Sequence, residues 1–440
     1  MSAIESTRTL VSPVGHDDPG AGDFNESSEP RIDPQGGAAR MGTSERSTDA
    51  PRMRVMIVFG TRPEAIKIAP IAMALRSAAD RFDTILCSTG QHRELLDQAL
   101  SPFGLRPDLD LALMQPGQQL ADLTGRALAA LDSVFDQYRP DLVLVQGDTA
   151  TAFAGALAAY YRRIPVAHLE AGLRTDDLYD PFPEEGNRRL VSCLAALHFA
   201  PTTRAASQLS REGFSARDVL VTGNTVIDAL LYIHSRAEVG QAPIAADPDG
   251  RSILVTMHRR ESYGAPFEDI CRAITSVADS HPAVEFVLPV HPAPKVQEPV
   301  HRMLGSHPRV RLIGPLAYPE FVALLSRSHF VMTDSGGIQE EAPALAKPVL
   351  ILRNTTERPE AIMAGTARLV GTSTQRIVDA AEELLIDAAA YERMARAVNP
   401  FGDGQAAARV VDALSYRYGY LGTPPDAFLE AVPRIGVLAL

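Results

Sequence analysis

Three cysteines in 440 residues are too few and too scattered for a disulfide framework. Cys87, Cys193 and Cys271 form no Cys-x-x-Cys pair, and they read as small buried thiols in a reducing compartment. No apolar run reaches the roughly 18 residues that a membrane-spanning helix needs. The N-terminus has no charged-then-apolar signal pattern. The expected location is the cytoplasm, without membrane contact. The net charge of −12 comes with no basic block, which argues against nucleic acid as a partner.

Several catalytic signatures are missing too. No Gly-x-Gly-x-x-Gly follows the first strand-like run; Gly60-Thr61-Arg62 stands there instead, which argues against the usual NAD(P) site. There is no P-loop and no Gly-x-Ser-x-Gly nucleophile elbow. The histidines are scattered, with no His-Glu-x-x-His pattern, so no metal site is expected.

What is present is a chain with 45% hydrophobic residues, enough for a large core. Val/Ile/Leu runs alternate with alanine-rich helical segments, which favours α/β architecture with parallel sheets. Strands fit 54–59, 83–88, 141–146, 165–169, 197–200 and 219–222, then 253–256, 284–290, 310–313, 329–333 and 348–352. Each half has its own strand–turn–helix series, which predicts two Rossmann-like, doubly wound domains facing a cleft.

The expected order is as follows. Residues 1–52 are rich in Ser, Gly, Pro, Asp and Arg and form a disordered extension. Residues 53–235 form the first domain and 236–400 the second, opening with a polar linker. A helix within 401–420 crosses back to the first domain, and 421–440 is a loosely held tail.

The most telling stretch is Thr333-Asp334-Ser335-Gly336-Gly337-Ile338-Gln339-Glu340-Glu341, after the apolar Phe330-Val331-Met332. It reads as strand, tight glycine turn, helix. Such a turn offers free backbone N–H groups and a positive helix end, a place for phosphate. Glu341, one turn in, suits ribose hydroxyls. Ligands of parallel sheets bind beyond the carboxyl ends of strands. There the sequence places Arg62, Gln91-His92-Arg93, Asp148 and Glu170, then His258, His291, Ser335 and Arg353. Each has a duller reading. Asp148 can cap the helix that starts at Thr149. One of Glu184 and Glu185 favours a helix N-terminus. His198, His329 and Cys193 read as packing residues.

These segments together resemble the non-hydrolysing bacterial UDP-N-acetylglucosamine 2-epimerases. The matching pieces are VFGTRPEAIKIAP (58–70), GQHRELLDQ (90–98), QGDTATAFAGALAAYY (146–161), HLEAGLRT (168–175), PFPEEGNRR (181–189), TGNTVIDAL (222–230), HRRESYG (258–264), TDSGGIQEEAP (333–343) and NTTERPEA (354–361), in one collinear order. The resemblance implies a glycosyltransferase-B-like fold and interconversion of UDP-N-acetylglucosamine and UDP-N-acetylmannosamine, with no cofactor. It implies a homodimer and a role in cell-envelope or capsular polysaccharide synthesis. The C2 hydrogen is barely acidic, so the family's route eliminates UDP to give a glycal and then re-adds it.

By resemblance, Asp148, Glu170, Glu184 and His258 are the catalytic residues. Arg62, Lys67, Arg174, His258, Ser335, Gly336, Gly337 and Glu341 hold UDP. Gln91, Arg93 and His291 match positions linked to a second, activating UDP-N-acetylglucosamine. The chain departs from the family there, reading Pro292-Ala293-Pro294 where Asn more often precedes the second proline. Met257 replaces a commonly small residue. Alternatives are a 2-epimerase of a related UDP sugar, such as a 2,3-diacetamido sugar or uronic acid, a hydrolysing epimerase, a glycosyltransferase on the same fold, or a nucleotide-sugar sensor.

Overall fold

The computed structural model describes residues 52–90, 93–115, 117–175, 177–236, 251–259 and 263–429, with the side chains of 93–95 excepted. The expectations for residues 1–51, for Gln91 and the Arg93 side chain, for most of the linker and for the end of the tail lie outside the described residues.

Two parallel sheets form the scaffold. The first contains β1 Met53–Phe59, β2 Phe82–Ser88, β3 Leu109–Asp110, β4 Leu142–Gln146, β5 Val166–Leu169, β6 Leu197–Ala200 and β7 Val219–Val221, in the order β3-β2-β1-β4-β5-β6-β7. The second contains β8 Arg251–Thr256, β9 Val284–Pro289, β10 Val310–Ile313, β11 Phe330–Thr333, β12 Val349–Ile351 and β13 Ala367–Leu369, in the order β10-β9-β8-β11-β12-β13. The central strands are apolar on both faces because helices cover both; Val55 to Phe59 are entirely buried. Strand order reverses between β1 and β4, and again between β8 and β11. A crevice opens at such a reversal beyond the carboxyl ends. The two reversals put Gly60-Thr61-Arg62 beside Gly147-Asp148, and Met257-His258 beside Asp334-Ser335.

Some elements differ from the sequence pattern. β3 has two residues and β13 three, too short for a visible period. Helix Pro294–Leu304 carries a proline at its start and Pro299 inside, which hides it. Helix Thr374–Ile386 ends at Asp387, whose carboxylate caps the next helix by accepting N–H groups from Ala389 (2.8 Å) and Ala390 (3.1 Å).

Helix Ala406–Arg417 packs on helices Arg62–Ser77 and Thr225–Arg236 of the first domain. Asp228 caps its start, accepting from Ala406 (3.2 Å) and Ala407 (2.8 Å). The tail differs from expectation through Phe428. That ring is buried, its N–H donates to Val221 O at 2.8 Å, and the Arg409 guanidinium lies 5.4 Å from its centre. Cys193 is another correction. Its helix buries Arg188, Val191 and Ser192, which turns Cys193 outward; Cys87 and Cys271 are buried as expected. No helix among the described residues is long and apolar enough to cross a membrane.

Candidate active site

The turn after β1 is tied to the turn after β4 by one buried carboxylate. Thr61 caps helix Arg62–Ser77, and Glu64 returns the bond by accepting from Thr61 N (2.7 Å) and Gly60 N (3.0 Å). Its other oxygen accepts from Thr149 Oγ1 at 2.6 Å. Thr149 is also the N-cap of helix Ala150–Tyr161, accepting from Ala152 N at 3.1 Å. Asp148 is therefore not the cap; its carboxylate accepts from Arg188 Nε (3.1 Å) and Nη2 (2.6 Å). Burial, opposed by Arg188, holds the Asp148 carboxyl above the usual range.

Glu170 leaves β5 with φ +60°, a left-handed conformation that costs a non-glycine residue about 1 kcal/mol. Lys67 Nζ and Gln146 Nε2 both donate to its carboxylate, and Arg358 Nη2 lies 3.8 Å away. Burial would raise this carboxyl, but Lys67, Arg358 and Arg188 together hold it below the usual range. Two neighbouring carboxyls are thus pushed in opposite directions, the pattern that separates an acid from an ionised group. Glu184 opens helix Glu184–Leu194 and faces the same cavity, about 280 Å³, as Asp148, Glu170, Arg188 and Arg259. Its neighbour Glu185 is the structural one: buried, it accepts from Thr175 N (3.1 Å) and Arg189 Nε (2.6 Å).

A second cavity of about 560 Å³ adjoins this one and contains Arg62, His258, His291, Ser335, Gly337 and Glu341, with Met257, Val290, Leu316, Phe321 and Ile338 as apolar walls. Pro63, Lys67 and Arg358 line both cavities. Helix Gly336–Ala344 begins at Ser335, whose side chain makes no capping bond, so the hydroxyl and the first N–H groups remain available to an anion. Gly336 is required for close approach, since a Cβ there would stand 2.6 Å from Arg358 Nη1. Arg358 is partly buried and also pairs with Glu340, which accepts from Asn224 Nδ2 at 2.6 Å. Burial would lower Lys67, yet Glu170 and Glu340 hold it above its ordinary value, so it stays charged.

Glu341 accepts from Tyr318 Oη at 2.7 Å, and burial pushes its carboxyl up to about 7. Arg62 crosses the cleft, donating from Nη2 to Leu316 O at 2.9 Å. The His258 and His291 rings stack with centroids 5.9 Å apart, and burial with the nearby His258 lowers the His291 pKa.

Arg174 is not brought to the cleft. Its guanidinium donates to Glu212 Oε1 (2.7 Å) and Oε2 (2.8 Å) and to Ser192 Oγ (3.0 Å), and it lines neither cavity. Arg188, Arg358, Gln146 and Tyr318 are site residues that sequence reading does not single out. The first three sit within or beside the quoted motifs; Tyr318 has no signal beyond an aromatic at a helix start. His198 and His329 are structural, each with its pKa lowered to about 4 chiefly by burial. No cluster of metal-ligating side chains occurs among the described residues.

The family model described as UDP-N-acetylglucosamine 2-epimerase matches residues 74–415. A relative from Escherichia coli (strain K12), UDP-N-acetylglucosamine 2-epimerase, is 52% identical over 371 residues, covering 82% of this chain and 98% of its own. The crystal structure of UDP-GlcNAc 2-epimerase from Neisseria meningitidis bound to UDP-GlcNAc superposes with TM-score 0.78 at 46% identity, covering 82% of this chain and 99% of its own. A glycosyltransferase from Rickettsia africae, 12% identical with TM-score 0.54 over 83% of this chain and 98% of its own, shares the fold. The two Rossmann-like domains are thus glycosyltransferase-B-like, and the chain belongs to the UDP-N-acetylglucosamine 2-epimerase family.

Proposed function

We propose that the protein interconverts UDP-N-acetylglucosamine and UDP-N-acetylmannosamine by eliminating UDP and adding it back. The observation that carries this reading is the convergence of Asp148, Glu170 and Glu184 in one cavity that shares Pro63, Lys67 and Arg358 with the Ser335–Glu341 cavity. A diphosphate at Ser335, Gly336 and Gly337, with Arg62 and His258 beside it and Glu341 on the ribose, directs the sugar toward the three carboxylates.

The C2 proton leaves to a carboxylate as the C1–O bond breaks, which gives a C1–C2 double bond and UDP. Re-addition forms the C1–O bond while C2 receives a proton from the opposite face. Asp148, with its raised carboxyl, suits the proton-transferring role on one face, and Glu184 on the other. Glu170, kept ionised by Lys67 and Arg358, faces positive charge developing at C1. Arg358 and Lys67, common to both cavities, balance the departing diphosphate. No redox step is needed.

Gln91, Arg93 and His291 are proposed for an activating second nucleotide sugar; Pro292-Ala293-Pro294 bears against strong activation. The reading places a homodimer in the cytoplasm, supplying cell-envelope or capsular polysaccharide. The test is incubation of the protein with UDP-N-acetylglucosamine alone, followed by separation of the nucleotides. A mixture of both UDP sugars, with traces of UDP and the glycal after long incubation, is expected. Unchanged substrate, alongside turnover of a 2,3-diacetamido or uronic-acid UDP sugar, would move the assignment to that sugar.

A further inference from the structure

Asp334 is buried at the end of β11 and lines neither cavity. Its Oδ2 accepts the backbone N–H groups of His258 (2.7 Å) and Arg259 (2.8 Å), which pins the loop after β8 to the neighbouring strand. Its Oδ1 is buried with no aligned partner among the described residues, and His258 Nδ1 stands 3.2 Å from it. A small ring rotation makes that approach a hydrogen bond. Burial would raise the Asp334 carboxyl; the His258 side chain and the two N–H groups hold it below the usual range.

An ionised carboxylate only accepts, so the ring nitrogen facing it must carry the proton. We infer that Asp334 is a positioning residue that fixes His258 in its Nδ1–H tautomer and leaves Nε2 free toward the cavity. With a proton from solvent on Nε2, the ring donates a hydrogen bond to the diphosphate, and Asp334 balances the imidazolium. Among the described residues the other charged and titratable groups around the ring are His291, stacked on it, its chain neighbour Arg259, Tyr263, whose hydroxyl donates to His258 O, and Arg62, Lys67, Tyr318, Glu341 and Arg358 in the same cavity. The inference rests on the diphosphate placement proposed above.

Asp334→Asn tests it. Two backbone N–H groups still require an oxygen, so the amide oxygen replaces Oδ2 and the amide NH₂ faces Nδ1. A donor there moves the imidazole proton to Nε2. Nitrogen-15 NMR of the histidine-labelled full chain, with His258 assigned by its loss in His258→Gln, reads the tautomer where the ring is neutral. The wild type is expected to carry the proton on Nδ1 and the variant on Nε2. Turnover is expected to fall about 100-fold or more, with UDP affinity changed less than about 10-fold. In a His258→Gln background the same substitution is expected to add no further loss.

A wild-type ring protonated on Nε2 overturns the inference. So does an Asp334→Asn variant within about 3-fold of wild-type turnover, or an equal loss in the His258→Gln background, which marks a merely structural role. If the variant does not fold, the wild-type spectrum decides. A wild type that turns over no UDP sugar strikes the functional reading and leaves the tautomer result to stand on its own.

Discussion

Replacing Glu341 by Gln is predicted to stabilise the protein at alkaline pH and to weaken nucleotide binding. The Glu341 carboxyl is raised from 4.5 to about 7, chiefly by burial. A carboxyl raised on folding binds its proton more tightly in the native state, so stability falls as pH rises from the unfolded value through the folded one. Below pH ~4.5 the wild type carries no penalty; above about 7 it carries all of it. A tenfold change in proton affinity corresponds to ~1.36 kcal/mol, so between pH 5 and 8 the wild type loses about 2.5 kcal/mol that the Gln variant keeps. The Gln oxygen still accepts from Tyr318. Its NH₂ needs a new partner, a pH-independent cost of about 1 kcal/mol.

The informative quantity is therefore the change in the stability difference with pH. At ~2.1 cal/mol/K per residue, the melting-temperature gap moves in favour of the variant by about 3 °C from pH 5 to pH 8 if the folded part melts as one unit. Scanning calorimetry of both proteins across that range measures it. Calorimetric titration with UDP at pH 8 should show affinity reduced at least about 10-fold, because a charged acceptor has been lost. A stability gap that does not change with pH refutes the reasoning.

Three further outcomes follow from the geometry. Asp148→Asn should lower turnover at least about 100-fold while UDP affinity, measured by titration, stays within about 3-fold. Gly336→Ala should displace Arg358 from Glu340 and Glu170; a loss of about 10- to 100-fold in kcat/KM with a lowered melting temperature is expected, and full activity would show that Arg358 is not needed there. Arg174→Ala should leave KM for the nucleotide sugar within about 2-fold, because Arg174 is committed to Glu212 and Ser192. A KM raised at least about 10-fold would return Arg174 to the binding site.

The architecture is legible in the sequence because its signals are local and repeated. Val55–Phe59 and Phe330–Met332 are apolar runs, and each is followed within a few residues by a polar, glycine-containing turn. The same logic places Asp148, Glu170 and Ser335 at strand ends, where the crevices open. What cannot be read is the partnership across distance. Nothing local says that Arg188, forty residues away, faces Asp148, or that Arg358 reaches Glu170 from the opposite sheet. Arg174, given to UDP by resemblance, meets the same limit. Its neighbours Glu170 and Leu173 line the cavity, but its guanidinium pairs with Glu212 at the end of helix Thr203–Arg211. Short edge strands and proline-containing helices escape because a few residues carry no periodicity.

The most direct test of the account is proton NMR of the purified protein with UDP-N-acetylglucosamine in D₂O, without added cofactor or metal. UDP-N-acetylmannosamine should appear with deuterium at C2, and deuterium should enter C2 of the remaining substrate as the mixture equilibrates. Epimer formed with protium retained at C2, or no epimer and no exchange, would contradict proton transfer at C2 by the carboxylates of this cleft.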